Sequence, residues 1–216
     1  MRNTFIFDMD GVMIDSEPFW QQAQINILQN LGVAITVQDC EIHTMGKRID
    51  LVAKTWCDLH HLQIDAKELE TLIIDQVATN ILQNGKAIKG LNDLLMYLKK
   101  EKFKIGLATS SSWKIIEAVL SKLDVKSYFD EICSADDEIY GKPNPAVYIR
   151  VMEKLNSKPE ECFILEDSVT GMIAAKASRA FTIVLTSSTS NPKYAIAEAK
   201  CESLTKVVHL LETKTP

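Results

Sequence analysis

The 216-residue sequence has no long hydrophobic run, since none of its apolar stretches reaches the roughly 18 residues that a membrane-spanning helix needs. Its start, MRNTFIF, is followed at once by acidic residues and lacks the apolar stretch of a secretory signal peptide. Basic residues are not in excess, because 24 Lys and Arg stand against 29 Asp and Glu, a formal net charge of −5. We therefore expect a cytoplasmic protein whose main partner is neither nucleic acid nor a membrane.

Cysteine is too sparse and too irregularly spaced for a disulfide framework: there are five, and no CxxC pair. Two Cys-x-x-His pairs, Cys40 with His43 and Cys57 with His60, leave open a zinc-stabilised binding protein without catalytic activity. The second pair falls within a predicted helix, where amphipathic placement explains both residues. We therefore treat the zinc protein as an alternative from a different functional class.

Short apolar runs alternate with amphipathic stretches over much of the chain, in a sequence that is 46% hydrophobic. Alternation of this kind is typical of an α/β fold with a parallel sheet covered by helices on both faces. The predicted strands are Thr4–Phe7, Phe103–Ala108, Glu131–Ser134, Cys162–Leu165 and Phe181–Leu185. The predicted helices between them are Leu91–Lys100, Trp113–Leu123, Pro145–Leu155 and Val169–Ala177.

One segment interrupts the alternation, because no strand pattern appears between about Ser16 and Asn84. Three helical stretches occupy it instead, Phe19–Leu31, Ile49–His60 and Lys67–Leu82. The simplest organisation is an α/β core, residues 1–15 and 85–216, with a helical domain, residues 16–84, inserted after the first strand.

Acidic side chains follow two of the predicted buried strands. Asp8 and Asp10 come directly after the first strand, and Glu166 and Asp167 follow Cys162–Leu165. Ligands of parallel α/β sheets bind at the carboxyl ends of the strands. Carboxylates that lie close together repel one another unless a positive charge is near, and Mg²⁺ prefers such oxygen ligands.

Groups suited to binding an anion follow in other segments. Thr109 and Ser110 lie where the next long apolar strand meets a helix, and such helix starts offer hydroxyls and free N–H groups to a phosphate. Lys142 lies between Gly141 and Pro143 in a stiff loop and supplies a compact cation. Each of these motifs also fits a plain helix cap or a surface loop, but together they provide what phosphoryl transfer requires.

In this order the motifs resemble the haloacid dehalogenase superfamily of phosphotransferases. The segments FDMDGVMIDSEPFW (Phe7–Trp20), Gly141–Pro145 and LEDSVTGMIAAKA (Leu165–Ala177) resemble its sugar-phosphate phosphatase branch, in particular the hexitol phosphatase and 2-deoxyglucose-6-phosphate phosphatase group. The likeness implies a Rossmann-like α/β core with a small helical cap domain, and an enzyme that hydrolyses phosphate monoesters.

The resemblance also implies roles for individual residues. Asp8 would be the nucleophile that forms an aspartyl-phosphate, and Asp10 the general acid and base. Thr109 and Ser110 would hold the phosphoryl group, and Lys142 would bridge the phosphate and Asp8.

The cofactor implied is Mg²⁺, bound through Asp8, the backbone carbonyl of Asp10 and the Asp167 carboxylate. Glu166 would bind it directly or through water.

The cap is expected to contact the leaving group through the loop that contains Gly46 and Arg48. The expected substrates are small hexose, deoxyhexose or hexitol phosphates, and the expected state is a monomer. A phosphosugar mutase of the β-phosphoglucomutase type is the alternative, although the histidine common to these mutases is replaced by Trp20.

Overall fold

The computed structural model describes residues 2–214 of the chain. Six strands in this range form one sheet in the order β3-β2-β1-β4-β5-β6, with every neighbouring pair parallel. The order is that of a doubly wound Rossmann-like fold, so the predicted fold class is confirmed. The strands are β1 (Thr4–Phe7), β2 (Lys104–Thr109), β3 (Glu131–Ser134), β4 (Cys162–Glu166), β5 (Phe181–Leu185) and β6 (Ala199–Cys201).

The α-helices of the described residues agree with the sequence patterns to within about two residues wherever a helix was predicted. They are α1 (Glu17–Asn30), α2 (Val37–His43), α3 (Ile49–His60), α4 (Ala66–Asn84), α5 (Leu91–Lys100), α6 (Trp113–Leu123), α7 (Ala146–Lys154), α8 (Val169–Ala177) and α9 (Leu204–Lys214). The sequence patterns did not predict α2, α9 or β6. None of the described helices combines the length and the apolar character that crossing a membrane requires.

Helices cover both faces of the sheet. Successive side chains of a strand point to opposite faces, and β1 therefore packs against both layers. In β1, Phe5 and Phe7 belong to the larger hydrophobic cluster, which contains the buried residues of α5, α6 and α9. Ile6 lies on the other face, in a cluster with the buried residues of α7 and α8. All four β1 side chains are buried, so the residue that follows the strand is held at a fixed position.

The helices α1 to α4 lie between β1 and β2, and residues 16–84 contain no strand. The chain leaves and re-enters the core at one place, where Ile14 pairs with Ala87 and the Ile88 N–H donates to the Met13 carbonyl over 2.9 Å. Helix α4 packs along α6 of the core, and Lys114 of α6 forms an ion pair of 2.6 Å with Asp75 of α4. The division into a core of residues 1–15 and 85–216 and a cap of residues 16–84 stays a prediction.

Loss of one aromatic side chain from the core should reveal how much stability the sheet packing supplies. Phe163 of β4 is fully buried and contacts the rings of Phe5, Phe103 and Phe181. We expect Phe163→Ala to lower the free energy of unfolding by about 3–5 kcal/mol in urea denaturation, since it removes apolar contacts and leaves a cavity. Ile139→Ala is the control, because Ile139 is 84% exposed and its loss should change the value by less than about 0.5 kcal/mol.

Candidate active site

The carboxyl ends of the central strands open into a cleft of about 600 Å³ that is closed on its other side by α1 and by the loop between α2 and α3. Nearly all of the site residues predicted from the sequence line this cleft. They are Asp8, Asp10, Gly46, Arg48, Thr109, Ser110, Lys142 and Asp167. Glu166 is fully buried behind them at the end of β4.

Lys142 lies between two buried carboxylates. Its Nζ is 2.7 Å from Asp8 Oδ1 and 2.7 Å from Glu166 Oε1, and it also donates to the Ala108 carbonyl over 3.3 Å. The ring of Tyr148 lies under the ammonium group at 4.7 Å, and its hydroxyl donates to Glu166 Oε1 over 2.5 Å. Residues that are 134 positions apart in the sequence are therefore in direct contact, as the phosphoryl-transfer interpretation requires.

Burial and charge shift the protonation equilibria of these groups in opposite directions. Burial raises the pKa of Asp8 well above its ordinary value, and this outweighs the attraction of Lys142. Burial by itself would lower the pKa of Lys142, but the charges of Asp8 and Glu166 outweigh it and the pKa is raised. The pKa of Glu166 is lowered despite burial, because Lys142 and several hydrogen bonds stabilise its charged form.

Three carboxylates offer ligand atoms that all lie within 4.8 Å of one another, those of Asp8, Glu166 and Asp167. Burial, followed by the charge of Glu166, raises the pKa of Asp167 to about 7. Three acids thus face one cation, and a divalent metal ion with oxygen ligands would relieve the excess of negative charge. These residues fit Mg²⁺.

Gly11 is needed beside these carboxylates. It has a φ of +74°, and a Cβ at this position would lie 1.9 Å from Asp167 Oδ2.

The Asp10 side chain is not part of the group of three clustered carboxylates and accepts hydrogen bonds from both the core and residues 16–84. Its Oδ1 accepts hydrogen bonds from the Ser16 hydroxyl and, over 3.4 Å, from Trp20 Nε1. Its Oδ2 accepts from Ser111 Oγ over 2.7 Å. Donors from Ser16, from the first cap helix and from the core therefore fix this carboxylate where it lines the cleft. The binding of a metal ion by Asp10 stays a prediction, and it concerns the backbone carbonyl.

The hydroxyl run that begins at the end of β2 lines the side of the cleft where the sequence predicts anion binding. Thr109 is buried, and its Oγ1 accepts a hydrogen bond from the Ser111 N–H over 3.1 Å. Ser110 lines the cleft between them. Ser112 is the residue that precedes α6, but its side chain makes no capping hydrogen bond. The capping interpretation of this run therefore does not account for Thr109 and Ser110.

The cap contributes the loop that contains Gly46 and Arg48. Gly46 has a φ of +73°, a left-handed conformation that glycine adopts without strain. The Arg48 guanidinium forms a bidentate ion pair with Asp50, with Nε–Oδ1 at 2.8 Å and Nη2–Oδ2 at 2.6 Å. Lys47 donates instead to Thr55 Oγ1 on the surface of α3. Arg48 is thus held in a defined position at the edge of the cleft.

Several residues of the site were not singled out by the sequence patterns. Ser16, Ser111, Gln24 and Tyr194 line the cleft, and the Tyr194 hydroxyl donates to the Asp167 carbonyl over 2.9 Å. Ser16 lies within the quoted segment Phe7–Trp20 and Ser111 directly follows Ser110, so proximity to predicted site residues along the chain was the available signal. Gln24 and Tyr194 had no such signal, because one polar or aromatic residue in a helical or loop segment has many other uses.

The Cys-x-x-His pairs of the zinc alternative do not appear in any group of three or more metal-ligating side chains within residues 2–214. The rings of His43 and His60 both pack against the indole of Trp56. Packing in the cap therefore accounts for these two histidines.

Comparison with known proteins identifies the family of this chain. The haloacid dehalogenase-like hydrolase family matches residues 5–185. Hexitol phosphatase B of Escherichia coli (strain K12) is 34% identical over 205 residues, which cover 94% of this chain and 92% of that protein. A phosphorylated carbohydrates phosphatase of Thermotoga maritima is 28% identical, with 95% of each chain covered. The chain belongs to the haloacid dehalogenase-like hydrolase family, as the motifs predict.

Solved structures show the same fold. CbbY from Rhodobacter sphaeroides in complex with phosphate has a TM-score of 0.85 and 22% identity, with 96% of each chain covered. A β-phosphoglucomutase from Clostridium difficile has a TM-score of 0.83 and 22% identity, covering 99% of this chain and 97% of that one. The prediction of an enzyme of the phosphoric monoester hydrolase class is confirmed at the level of the family, whose relatives named here are phosphatases.

Removal of the buried ammonium group should cost far more stability than removal of an exposed one. We expect Lys142→Met to lower the free energy of unfolding by about 3–5 kcal/mol, because Asp8 and Glu166 are left buried without a counter-charge. Lys114→Met is the matched control, since it breaks the exposed ion pair with Asp75 and should cost about 1 kcal/mol or less. Urea denaturation of both variants measures the difference, and equal losses would contradict the importance of the buried cation.

Proposed function

We propose that this protein is a Mg²⁺-dependent phosphatase that hydrolyses small sugar phosphates, meaning hexose, deoxyhexose or hexitol phosphates, through an aspartyl-phosphate on Asp8. The observation that carries the proposal is the contact of Asp8 with Lys142 beside Glu166 and Asp167, at the edge of the sheet where ligands bind. The relatives named above include a phosphatase of hexitols and one of phosphorylated carbohydrates, which supports the substrate class.

In the first step, an Asp8 carboxylate oxygen attacks phosphorus, and the bond between phosphorus and the leaving oxygen breaks. Lys142, 2.7 Å from Asp8, offsets the repulsion between this carboxylate and the anionic phosphate. Thr109 and the Ser110 N–H hold the phosphoryl oxygens. Asp10 gives its proton to the leaving alkoxide, for which its position on the cap side of the cleft is suited.

In the second step, water attacks the phosphorus of the aspartyl-phosphate, and Asp10, now a carboxylate, takes the proton from that water. The bond between phosphorus and the Asp8 oxygen breaks, which releases inorganic phosphate and restores the nucleophile. General acid and base help of this kind contributes roughly 10²–10⁴-fold to a rate. The hydrogen bonds of Asp10 to Ser16 and Ser111 would keep it in place for both steps.

The metal ion would be held by Asp8, Asp167 and the Asp10 carbonyl, with Glu166 binding it directly or through a water. When bound, it supplies Lewis-acid stabilisation of charge on the phosphoryl oxygens. The clustering of Asp8, Glu166 and Asp167 within 4.8 Å supports this placement, since three adjacent acids face one lysine.

The leaving-group side of the cleft has polar and aromatic walls suited to a sugar or a sugar alcohol. Trp20, Gln24, Thr44 and Arg48 line it from the cap. We include in the proposal that the protein works as a monomer in the cytoplasm on a small phosphate ester, without a nucleic acid or membrane partner. A single chain supplies every group that the two steps require.

A phosphosugar mutase is the second candidate, because the core and cap are shared with β-phosphoglucomutase. The residue at the position of the mutase histidine is Trp20, whose indole donates to Asp10 and does not titrate near neutral pH. A mutase must return the phosphoryl group to the sugar, and this chain lacks the histidine common to the mutases. A phosphatase is therefore favoured.

Incubation with a panel of phosphorylated metabolites and Mg²⁺ tests the reaction and the substrate class. We expect free phosphate from hexose, deoxyhexose or hexitol phosphates, without a rearranged isomer, because water is the acceptor in the second step. Phosphate is measured colorimetrically, and isomers by chromatography. A product that is an isomer of the substrate would favour the mutase, and preference for a nucleotide would contradict the substrate class.

The control for this assay is Asp8→Asn. The variant should retain the circular dichroism melt of a folded protein and release phosphate only at background, because the amide is not a nucleophile. Phosphate release at the wild-type rate by the purified variant would contradict the assignment of Asp8.

Mg²⁺ should stabilise the protein as well as activate it. At about ten times its Kd, the ion should add about 1.4 kcal/mol to the free energy of unfolding, which for a chain of this length raises Tm by about 3–5 °C. We expect Asp167→Asn to abolish most of this gain, and EDTA to reverse it, because a ligand and a charge are lost. Calorimetric titration gives the Kd and thermal melts give Tm.

Asp58→Asn provides the matched control for metal binding, since Asp58 lies on the exposed surface of α3, paired with Lys54. It should keep the full gain in Tm. An equal gain in the Asp167 and Asp58 variants would contradict the proposed metal site.

A further inference from the structure

Gln24 of α1 is a buried polar residue in the wall of the cleft. It is 4% exposed, although it lies on a helix of the cap, where a glutamine is more often on the surface. Its side chain lines the same cleft as Asp8, Arg48 and Lys142. A buried amide in this position is stable only when its donors and acceptors are satisfied.

The hydrogen bonds of Gln24 determine which way its amide points. Oε1 lies 2.8 Å from Trp56 Nε1 and 2.9 Å from Thr44 Oγ1. An indole N–H can only donate, so the atom that faces Trp56 is the oxygen. Nε2 therefore lies on the opposite side, where it donates to the Trp20 carbonyl over 3.0 Å.

The amide nitrogen carries two hydrogens, and the Trp20 carbonyl accepts one of them. Among the contacts of residues 2–214, the second has no protein acceptor. We propose that this second N–H of Gln24 donates to a hydroxyl oxygen of the leaving group, which makes Gln24 a specificity-determining residue. The inference rests on the proposed sugar-phosphate phosphatase function.

Gln24 also connects, through hydrogen bonds, the surroundings of Asp10 with the loop that carries Arg48. Through the Trp20 main chain it touches the residue whose indole donates to Asp10. Through Thr44 it contacts the start of the loop that carries Arg48. A substrate hydroxyl bound by Gln24 would therefore lie between the Asp10 side of the cleft and the Arg48 loop.

A buried N–H without an acceptor carries a larger free-energy penalty than an exposed one, because water can bond to the exposed group. This difference lets a site discriminate between substrates with and without the matching acceptor. An ester with hydroxyls satisfies the Gln24 N–H, whereas an ester without them leaves it unpaired. We expect Gln24 to matter for hexose or hexitol phosphates and not for phenyl phosphate, whose leaving group offers no alkyl hydroxyls.

The variant that tests this inference is Gln24→Glu. The carboxylate keeps the oxygen that accepts from Trp56 and Thr44 but carries no N–H to donate. For the sugar phosphate that the wild-type protein hydrolyses fastest, kcat/KM should fall by about 10–100-fold, mainly through KM. For phenyl phosphate it should change by less than about threefold. Gln24→Met, a neutral residue of similar length, is made as well and should lose the same preference.

Gln22→Glu is the matched control, because it makes the same chemical change at an exposed position of α1. This variant should have the wild-type kcat/KM for both substrates. Circular dichroism melts show whether each variant folds. A wild-type ratio of sugar phosphate to phenyl phosphate hydrolysis in the folded Gln24 variants overturns the assignment of Gln24, and so does an equal loss on both substrates. A wild-type protein that hydrolyses no sugar phosphate instead overturns the proposed function and this inference with it.

Discussion

The ammonium group of Lys142, enclosed between the carboxylates of Asp8 and Glu166, is the interaction on which the rest of the site depends. Two buried acids at the ends of neighbouring strands would repel each other. The cation between them helps to lower the pKa of Glu166 and offsets part of the effect of burial on the pKa of Asp8. Burial, followed by the charge of Glu166, raises the pKa of a third acid, Asp167, to about 7. A divalent cation bound by these acids, as proposed, would offset their negative charge and favour the binding of an anionic phosphate.

The core and the helical residues 16–84 contribute different sides of the cleft. The core supplies the groups that the proposed mechanism places around phosphorus, because the carboxyl ends of β1, β2 and β4 meet there. Residues 16–84 line the opposite side of the cleft, where the proposal places the leaving group. Asp10 lies where the two meet and is held by donors from both, Ser16 and Trp20 on one side and Ser111 on the other. In the proposed mechanism, this one carboxylate would link acid catalysis to recognition of the leaving group.

The parts of the fold that could be predicted are those with strong local signals. Strands such as Phe181–Leu185 are continuous apolar runs, and α3 was predicted with the bounds that the structure shows. Helix α2 has seven residues, and its capping box has Asp39 where the usual signature has Glu or Gln, so its local signal is weak. Strand β6 has three residues, two partly buried and one buried, which is too short a stretch for alternation to reveal.

The amino-acid sequence reveals which functional groups are available, because acids and hydroxyls follow apolar runs that must be buried and a lysine lies in a stiff loop. Which of these groups touch depends on the tertiary structure. The 2.7 Å contact of Asp8 and Lys142, the hydrogen bond of Ser111 to Asp10 and the orientation of the Gln24 amide all depend on packing between distant segments. Local sequence carries no information on such distances, since they are set by the pairing of β1 with β4 and by the docking of α4 on α6.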